Sequence, residues 1–359
     1  MASPPRPDPA SVRRRLLRWY DRERRNLPWR APPGGRPDPY RVWLSEIMLQ
    51  QTTVATVRAR FEDFVARWPT VEALAGAGLD EVLHAWQGLG YYARARNLHG
   101  CARVVVGELG GRFPDSEEAL RRLPGIGAYT AAAVAAIAYG RRTTPVDANV
   151  ERVTARLHAV PDPLPGGKRR IKALARALTP ARRAGDFAQA MMDLGATVCT
   201  ARRPDCARCP LRPGCLAAAE SRPGRYPVKA PRKARPVRHG MVFWAVLKDG
   251  RVLLRRRAWK GLLGGMMEVP STDWREEAWS VAEAAAAAPV EAHWRPLEGV
   301  VKHTFTHFHL ELRVLAGRVD GPAKRRPPEG ALWCPPARFS DHALPTVMKK
   351  VARHAAGAL

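Results

Sequence analysis

The sequence lacks any apolar run of roughly 18 residues, the length at which a helix begins to span a bilayer, so we expect no membrane association. The chain begins with a polar, proline-rich stretch that has no apolar core, and no secretory signal is expected. Acidic side chains are scarce: 33 Asp and Glu stand against 60 Lys and Arg, for a formal net charge of +27. This surplus favours a polyanionic partner such as nucleic acid, because neutralised phosphates release counterions.

Cysteine is also rare, with six in 359 residues, too few for a disulfide framework. Four of them are crowded together, and such a group can bind a zinc ion or an iron–sulfur cluster. Zinc usually binds two short cysteine pairs, whereas one pair with two outliers favours a cluster; the spacing alone does not decide the metal. A reduced compartment follows, so we expect a bacterial, cytoplasmic protein that associates with the nucleoid when bound to DNA. The four candidate ligands are Cys199, Cys206, Cys209 and Cys215.

The first part of the chain has helical periodicity and no strand-like alternation before residue 216. Apolar side chains recur at three- and four-residue steps in residues 11–25, 40–67 and 93–109. We therefore predict an all-α domain over residues 1–216. Residues 217–238 are rich in proline and charge without periodicity, which predicts an exposed basic linker.

After this segment the sequence pattern changes from helical to strand-like. Met241–Leu247 and Val252–Arg256 flank an Asp-Gly pair, a strong signal for a β-hairpin. Residues 305–319 alternate, and residues 274–287 and 346–355 have helical patterns. The sequence predicts an α/β domain over residues 239–359, and thus a multidomain fold.

A proline- and glycine-rich turn at Leu123–Gly127 precedes a helix of small residues. We expect Gly125 and Gly127 to be required by a tight turn that only glycine makes without steric cost. The helix would begin immediately afterwards, and its unsatisfied N–H groups would attract phosphate. A helix–hairpin–helix that binds one DNA phosphate has this pattern, and so does an ordinary turn between helices.

The order of this turn, an aspartate about twenty residues later and the cysteine group resembles the helix–hairpin–helix DNA glycosylases. Within that superfamily, residues 43–52, 88–97 and 191–196 resemble the MutY-type adenine DNA glycosylases, and the match extends from about residue 12 to residue 216. The resemblance implies a 4Fe–4S cluster on the four cysteines. It implies base-excision repair by a monomer acting on double-stranded DNA, in which adenine mispaired with 8-oxoguanine, or more weakly with guanine, is removed.

Two carboxyl groups carry the chemistry that the resemblance implies. Glu46 lies among apolar residues, where burial would keep it protonated as a general acid for adenine N7. Periodicity alone would instead place it on the polar face of an amphipathic helix. Asp147 matches the carboxylate that stabilises the oxocarbenium-like sugar, and it also fits a helix N-cap. Asn149 is expected to orient this part of the site.

Tyr129 discriminates between two branches of the superfamily. In the endonuclease III branch, the residue two positions after the last turn glycine is a lysine that attacks the sugar as an amine. Here the residue is tyrosine. We therefore expect a monofunctional glycosylase, with a bifunctional glycosylase and lyase for oxidised pyrimidines as the alternative.

The remaining DNA contacts are implied by the resemblance alone. Adenine must leave the duplex before its glycosidic bond can be cleaved, and side chains must fill the gap. Four residues match positions beside the gap and the estranged 8-oxoguanine, namely Gln51, Thr52, Leu89 and Tyr91. Three others match positions that line the adenine pocket, namely Trp29, Arg30 and Gln189.

The C-terminal domain resembles the Nudix-like, lesion-reading domain of this family. Gly264–Pro270 is similar to the start of a Nudix motif, but the further acidic residues that bind magnesium are missing, so no hydrolysis of nucleotides is expected. Phe305, Thr306 and His307 match the tip that reads 8-oxoguanine, with threonine in place of the usual serine. A histidine cluster at a strand edge would have the same residues.

Overall fold

A computed structural model describes residues 7–231, 234–259, 261–320, 327–342 and 344–358. Most of the proline-rich start and part of the predicted linker lie outside these ranges. Backbone contacts divide the chain into two compact units. The helical unit contains the described residues up to Leu79 and Arg94–Pro231, and the sheet unit contains Asp80–Ala93 together with the described residues from 234 onward. The predicted multidomain fold is confirmed, whereas the predicted domain boundaries stay a prediction.

Within the described ranges, the residues before 220 form helices and no β-strand, as the periodicity predicted. Side chains that cap helix starts explain several of the boundaries, because each accepts a hydrogen bond from an otherwise unpaired N–H. The continuous helix pattern of residues 40–67 is in fact two helices separated by residues 49–53. None of the helices in the described ranges is long and apolar enough to cross a membrane. The helices are α1 (Pro9–Glu23), α2 (Pro39–Met48), α3 (Val54–Arg67), α4 (Val71–Gly76), α5 (Leu79–Ala85), α6 (Ala93–Leu109), α7 (Glu117–Leu120), α8 (Ala128–Tyr139), α9 (Ala148–Leu157), α10 (Lys168–Leu178), α11 (Ala184–Thr197) and α12 (Leu216–Ala219).

Helix α11 is the central element of the helical unit and packs against α1, α8 and α9. Two glycines permit this close approach. A Cβ atom on Gly185 would lie 2.5 Å from the carbonyl oxygen of Ala136 in α8, and one on Gly195 would lie 2.5 Å from the Cβ of Asn149 in α9. Larger residues would push these helices apart. The spacing of α8, α9 and α11 therefore depends on both glycines.

The first half of the predicted linker is exposed at many positions but is anchored to the helical unit at two buried residues. Ala217 and Tyr226 are buried in a core cluster with Ala155, Val160 and Ile171. The Tyr226 hydroxyl also donates to Glu220 across 2.9 Å. The prediction of exposed chain is wrong at Ala217 and Tyr226, because a proline- and charge-rich composition does not reveal single side chains that pack onto the helical unit.

The sheet unit contains a mixed sheet with the strand order β3-β2-β1-β6-β4 in its described part. β1 and β6 pair in parallel over their full length, from Val237 opposite His309 to Leu247 opposite Val319. β5 and β6 form a hairpin, and β7 pairs with β2. The strands are β1 (Val237–Leu247), β2 (Val252–Arg256), β3 (Met267–Glu268), β4 (Arg295–Pro296), β5 (Val301–Thr304), β6 (His309–Val319) and β7 (Ala331–Cys334).

Two helices complete the described part of this unit, α13 (Val281–Ala286) and α14 (Thr346–Ala355). The prediction of α14 is confirmed, and so is the hairpin of β1 and β2. The helix predicted over 274–287 is shorter, because Ser280 caps its start and Glu283 completes the capping box. Phe305 lies in the turn before β6 rather than within the strand.

Candidate active site

Glu46 lies on α2, a helix that is buried on nearly every face. Its side chain is only 6% exposed, and neighbouring Ser45 is 1% exposed. The alternative of a solvated polar face is therefore wrong. Burial raises the pKa of Glu46 to about 7, with a further increase from Asp147 and opposing effects from Tyr129 and Arg30. A carboxyl group of this kind can donate a proton near neutral pH.

Tyr129 and Asp147 approach Glu46 from two other helices. The Tyr129 hydroxyl, in the first turn of α8, donates a hydrogen bond to the Glu46 carboxyl. Burial raises the pKa of Tyr129 well above its usual value, and the two carboxyl groups raise it further. Tyr129 is therefore a protonated donor at any physiological pH. The structure brings the two predicted carboxyl groups and the tyrosine into one electrostatically coupled group.

Asp147 is the N-cap of α9, so the alternative reading of this residue is also correct. Its Oδ1 accepts from the backbone N–H of Val150 at 2.7 Å, and its Oδ2 accepts from the Asn149 side-chain amide at 2.7 Å. Arg152 in turn donates to Asn149 Oδ1 at 2.8 Å and to the carbonyl of Gly195 at 2.6 Å. Two donors thus fix both oxygens of one carboxylate.

A cavity of about 50 Å³ lies beside Glu46. The three predicted pocket residues, Trp29, Arg30 and Gln189, all contribute to its wall. The Trp29 ring meets Phe61 edge-on with 5.4 Å between ring centroids, and the Gln189 amide donates to the Gly185 carbonyl at 3.3 Å.

Sequence reasoning missed the partner of Arg30. Both terminal nitrogens of Arg30 donate to Asp193, at 2.6 and 2.7 Å, and the Asp193 side chain is 0% exposed. The signal was available, because a lone aspartate between Met192 and Leu194 on a buried helix requires a cationic partner.

The turn before α8 has the predicted form, but its two glycines differ. Gly125 has φ +73°, and a Cβ atom there would lie 2.5 Å from the Cβ of Asn97. Gly127 has φ −85° and would contact nothing within 4 Å through a Cβ atom, so the steric requirement predicted for Gly127 is wrong. Gly127 is the N-cap of α8 and provides no side-chain cap. Because Gly127 has no side chain, the start of α8 stays open and an anion can approach its N–H groups.

Two of the predicted gap-filling residues have strained backbones. Gln51, which is exposed, has φ +56°, and Tyr91, which is 51% exposed, has φ +48°. Non-glycine residues in this region are uncommon and cluster at functional sites. Thr52 accepts from Arg94 Nη2 at 3.2 Å, whereas Leu89 is buried.

In the sheet unit, Phe305, Thr306 and His307 form the tip of the hairpin between β5 and β6. Phe305 is half-buried, and Thr306 and His307 are exposed. The Phe305 ring stacks on Trp274 at 5.7 Å between centroids, a contact that the sequence did not reveal. Within the same unit the hydroxyl groups of Thr306 and Tyr91 are 2.8 Å apart and hydrogen-bonded.

The four predicted cysteine ligands lie at the end of α11 and in the loop after it, all half-buried. Burial raises the pKa of the Cys209 thiol, and the other three cysteines lie near enough to raise it further. Arg156 Nη1 donates to Cys199 Sγ at 3.3 Å. Within the described ranges, no three His, Cys, Asp or Glu side chains are grouped tightly enough for a single metal ion.

Glu268 is the acidic residue in Gly264–Pro270, the segment that resembles the start of a Nudix motif. It is 1% exposed and forms ion pairs with Arg257 and with Arg255, the latter at 2.8 Å. Two guanidinium groups therefore compensate the charge of this buried carboxylate.

Comparison with known proteins agrees with this geometry. Residues 44–181 match the family described as HhH-GPD superfamily base excision DNA repair protein, and residues 241–354 match the NUDIX domain. A human protein named adenine DNA glycosylase is 39% identical over 400 residues, which cover 94% of this chain and 72% of the human protein. The chain belongs to the adenine DNA glycosylase family. A Mycobacterium tuberculosis adenine DNA glycosylase is 48% identical over 198 residues, which cover 55% of this chain and 64% of that protein.

The helical unit also has a structural relative. A solved thermostable thymine-DNA glycosylase superposes with a TM-score of 0.53 and 30% identity, covering 59% of this chain and 97% of the other. The predicted family, fold and enzyme class are confirmed: an adenine DNA glycosylase of base-excision repair, which hydrolyses an N-glycosyl bond and has DNA as its partner.

Proposed function

We propose that this adenine DNA glycosylase acts on adenine opposite 8-oxoguanine, and more weakly opposite guanine, in duplex DNA. Glu46 protonates N7 of the extruded adenine, because an unprotonated purine anion is a poor leaving group. Asp147 stabilises the oxocarbenium-like sugar on the other side, and water completes the hydrolysis. The observation that carries this proposal is the buried Glu46 carboxyl, 6% exposed, whose pKa burial raises to about 7 and which lies near both Tyr129 and the second carboxylate, Asp147.

The neighbouring residues support these two roles. Tyr129 holds the Glu46 carboxyl by its hydrogen bond, and Asn149 orients Asp147. Trp29, Arg30 and Gln189 enclose the base. Because Tyr129 has no amine, the reaction ends at base release, without a Schiff base on the sugar. Borohydride trapping on a substrate duplex tests this point, and an efficient covalent adduct would favour the bifunctional alternative.

We assign DNA binding and lesion reading to residues outside the group formed by Glu46, Tyr129 and Asp147. The turn of Gly125 and Gly127 and the open start of α8 accept a phosphate. Gln51, Thr52, Leu89 and Tyr91 fill the gap that the flipped adenine leaves, and Phe305, Thr306 and His307 read the 8-oxoguanine. The exposed Thr306 hydroxyl and its bond to Tyr91 support a shared role at the lesion.

We further propose that Cys199, Cys206, Cys209 and Cys215 hold a 4Fe–4S cluster. Four thiols in one loop are the donor set that such a cluster uses, and the Arg156 hydrogen bond to Cys199 Sγ fits a metal-bound thiolate. When bound, the cluster orders this loop and takes no part in the hydrolysis, which transfers no electrons. Arg152 and Arg156 both bind the Cys199 carbonyl, so the chain's own contacts connect the loop to α9. The monomeric state and the bacterial, cytoplasmic location stay predictions.

The decisive experiment is single-turnover release of adenine from an 8-oxoguanine:adenine duplex by the wild type and by Glu46→Gln. We expect release to fall by at least about 1,000-fold, since loss of the acid removes the proton from the leaving group. Glu62→Gln, an exposed change on α3, is the matched control and should leave the rate unchanged. Full base release by a folded, DNA-binding Glu46→Gln protein would refute the mechanism and favour a non-catalytic DNA-binding module.

A nucleotide hydrolase in the sheet unit is the other candidate. The ion pairs of Glu268 with Arg255 and Arg257 speak against it, because this carboxylate is not available to magnesium. An assay of the full chain with oxidised nucleotide and magnesium tests this candidate. Turnover that survives Glu46→Gln would support the candidate.

A further inference from the structure

Asp193 is a buried ionic group that the proposed mechanism does not use. It lies in the second half of α11 with a side chain that is 0% exposed. Besides the two bonds from Arg30, it accepts from Arg25, through Nε at 2.5 Å and through the backbone N–H at 3.1 Å. A carboxylate without solvent is costly unless cations compensate it. Two arginines from the segment before α2 provide this compensation.

Arg30 links this ion pair to the acid. Its side chain is 7% exposed, and it lines the same 50 Å³ cavity as Glu46. A buried guanidinium beside a carboxyl group favours the ionised form of that group. The pKa of Glu46 is indeed lowered by Arg30, although burial has the larger, opposite effect. Both terminal nitrogens of Arg30, however, are bonded to Asp193.

We propose that Asp193 is a positioning residue, which holds Arg30 at the wall of the base pocket and offsets its charge so that Glu46 keeps its proton near neutral pH. The inference rests on the proposed role of Glu46 as the acid. Without Asp193, the guanidinium would retain its positive charge beside Glu46 and would be free to form an ion pair with it. The acid would then be ionised at a pH where the wild type is still protonated.

The charged surroundings of Glu46 make this attribution specific. Arg30 is itself faced by the Tyr20 ring from α1, 6.0 Å from its guanidinium carbon, and by Asp193 from α11. Replacing Asp193 removes the principal counter-charge of Arg30 and leaves the groups on α8 and α9 in place. It also removes the partner of Arg25, which lines the same cavity, so the Arg30→Gln change is what separates the effect of Arg30 from that of Arg25. The titratable and charged groups that act on Glu46 are Tyr129 from α8, Asp147 at the start of α9 and Arg30 from the segment before α2.

The experiment is the pH dependence of single-turnover adenine release, from about pH 5 to pH 9, where the rate falls as the acid ionises. For Asp193→Asn we expect the apparent pKa of this falling limb to drop by about one unit, so that the rate decreases about tenfold at pH 8 and little at pH 5. Adding Arg30→Gln should return the limb toward the wild-type pH, although the absolute rate stays low because the pocket has lost a wall residue. A purely structural role would lower the rate at every pH without moving the limb.

Three outcomes would overturn the proposal. They are an unmoved limb in Asp193→Asn, a shifted limb that Arg30→Gln does not restore, and an equal shift in the control Asp186→Asn. Asp186 is on the same helix, but its side chain is 37% exposed and is paired with Arg183. The single variant Arg30→Gln tests the effect of the Arg30 charge on Glu46 without relying on the folding of Asp193→Asn. The falling limb of its pH–rate profile should move to higher pH.

Failure of this inference is distinguishable from failure of the proposed function. If Glu46→Gln retains the falling limb and the rate, the acid assignment itself is wrong. If Glu46→Gln abolishes both and Asp193→Asn still titrates like the wild type, only the role of Asp193 is refuted.

Discussion

Asn149 donates its side-chain amide to Asp147 Oδ2 across 2.7 Å, and this bond completes a carboxylate whose other oxygen already accepts from the start of α9. Asn149 Oδ1 also accepts a hydrogen bond from Arg152. The side-chain amide therefore cannot rotate without breaking one hydrogen bond at its nitrogen and another at its oxygen. The helix cap by itself would fix only one oxygen of Asp147. The orientation of the Asp147 carboxylate therefore depends on Asn149.

We expect Asn149→Ala to lower single-turnover adenine release by on the order of 10- to 100-fold, since preorganised charge stabilisation is lost while the helix cap remains. DNA affinity and the melting temperature should change little in comparison. Asn26→Ala, an exposed asparagine, is the control. A rate within twofold of the wild type would show that the cap alone orients Asp147.

Tyr129→Phe should move the pH profile in the direction opposite to Asp193→Asn. The folded-state pKa of Glu46 is raised to about 7, so the acid is protonated at pH 6 and mostly ionised at pH 8, and the rate falls between them. The Tyr129 hydrogen bond favours the ionised form and lowers the pKa of Glu46. Its removal should shift the limb to higher pH while the maximal rate falls, because the acid is held less firmly. A limb that moves to lower pH would contradict this interpretation.

Sequence patterns were sufficient for the parts of the molecule that local physics determines. Periodicity predicted the helices. Periodicity alone would have placed Glu46 on a polar face, and the family resemblance was needed to assign it as a buried acid. The Arg30–Asp193 ion pair joins residues 163 positions apart, and the stacking of Trp274 on Phe305 joins two loops. No local pattern encodes such partners. The predictions for Gly127 and Tyr226 were wrong for a related reason. Composition indicates which residues suit a turn or a linker, but not which atoms those residues contact.

The cysteine loop gives a prediction that does not depend on catalysis. We expect about four iron atoms and four sulfides per chain, and loss of most of the iron in Cys206→Ser or Cys209→Ser. Loss of the cluster should also expose the loop after α11 to protease, because its remaining attachments would be the arginine contacts to its backbone and the packing of Leu211. Cys334→Ser, in the sheet unit, is the control for iron content. Stoichiometric zinc without sulfide would show that the site binds a single metal ion instead.

The hairpin tip that we propose reads the lesion packs against Trp274. Trp274 stacks on Phe305, while the Arg257 guanidinium lies 5.0 Å from the centre of the tryptophan ring. A Cβ atom on Gly240 in β1 would lie 2.7 Å from Trp274 Cδ1, so the ring has little freedom on that side. Phe305 also meets Phe308 at 4.9 Å between centroids. The position of the tip is thus set by an aromatic stack that leads back to the sheet.

We expect Trp274→Ala to reduce the preference for 8-oxoguanine:adenine over guanine:adenine duplexes by about 10-fold, because Phe305 loses one face of its packing and Thr306 and His307 lose their fixed positions. The ratio of the two single-turnover efficiencies, measured below saturating enzyme, is the readout. Trp279→Ala is the matched control, since Trp279 packs with Met241 and Phe243 in a different cluster and has no contact with Phe305 among those described. Trp274→Phe keeps an aromatic ring and should retain most of the preference. If Trp274→Ala and Trp279→Ala lowered the ratio equally, general destabilisation of the sheet unit would explain both, and the stack would have no specific role in reading the lesion.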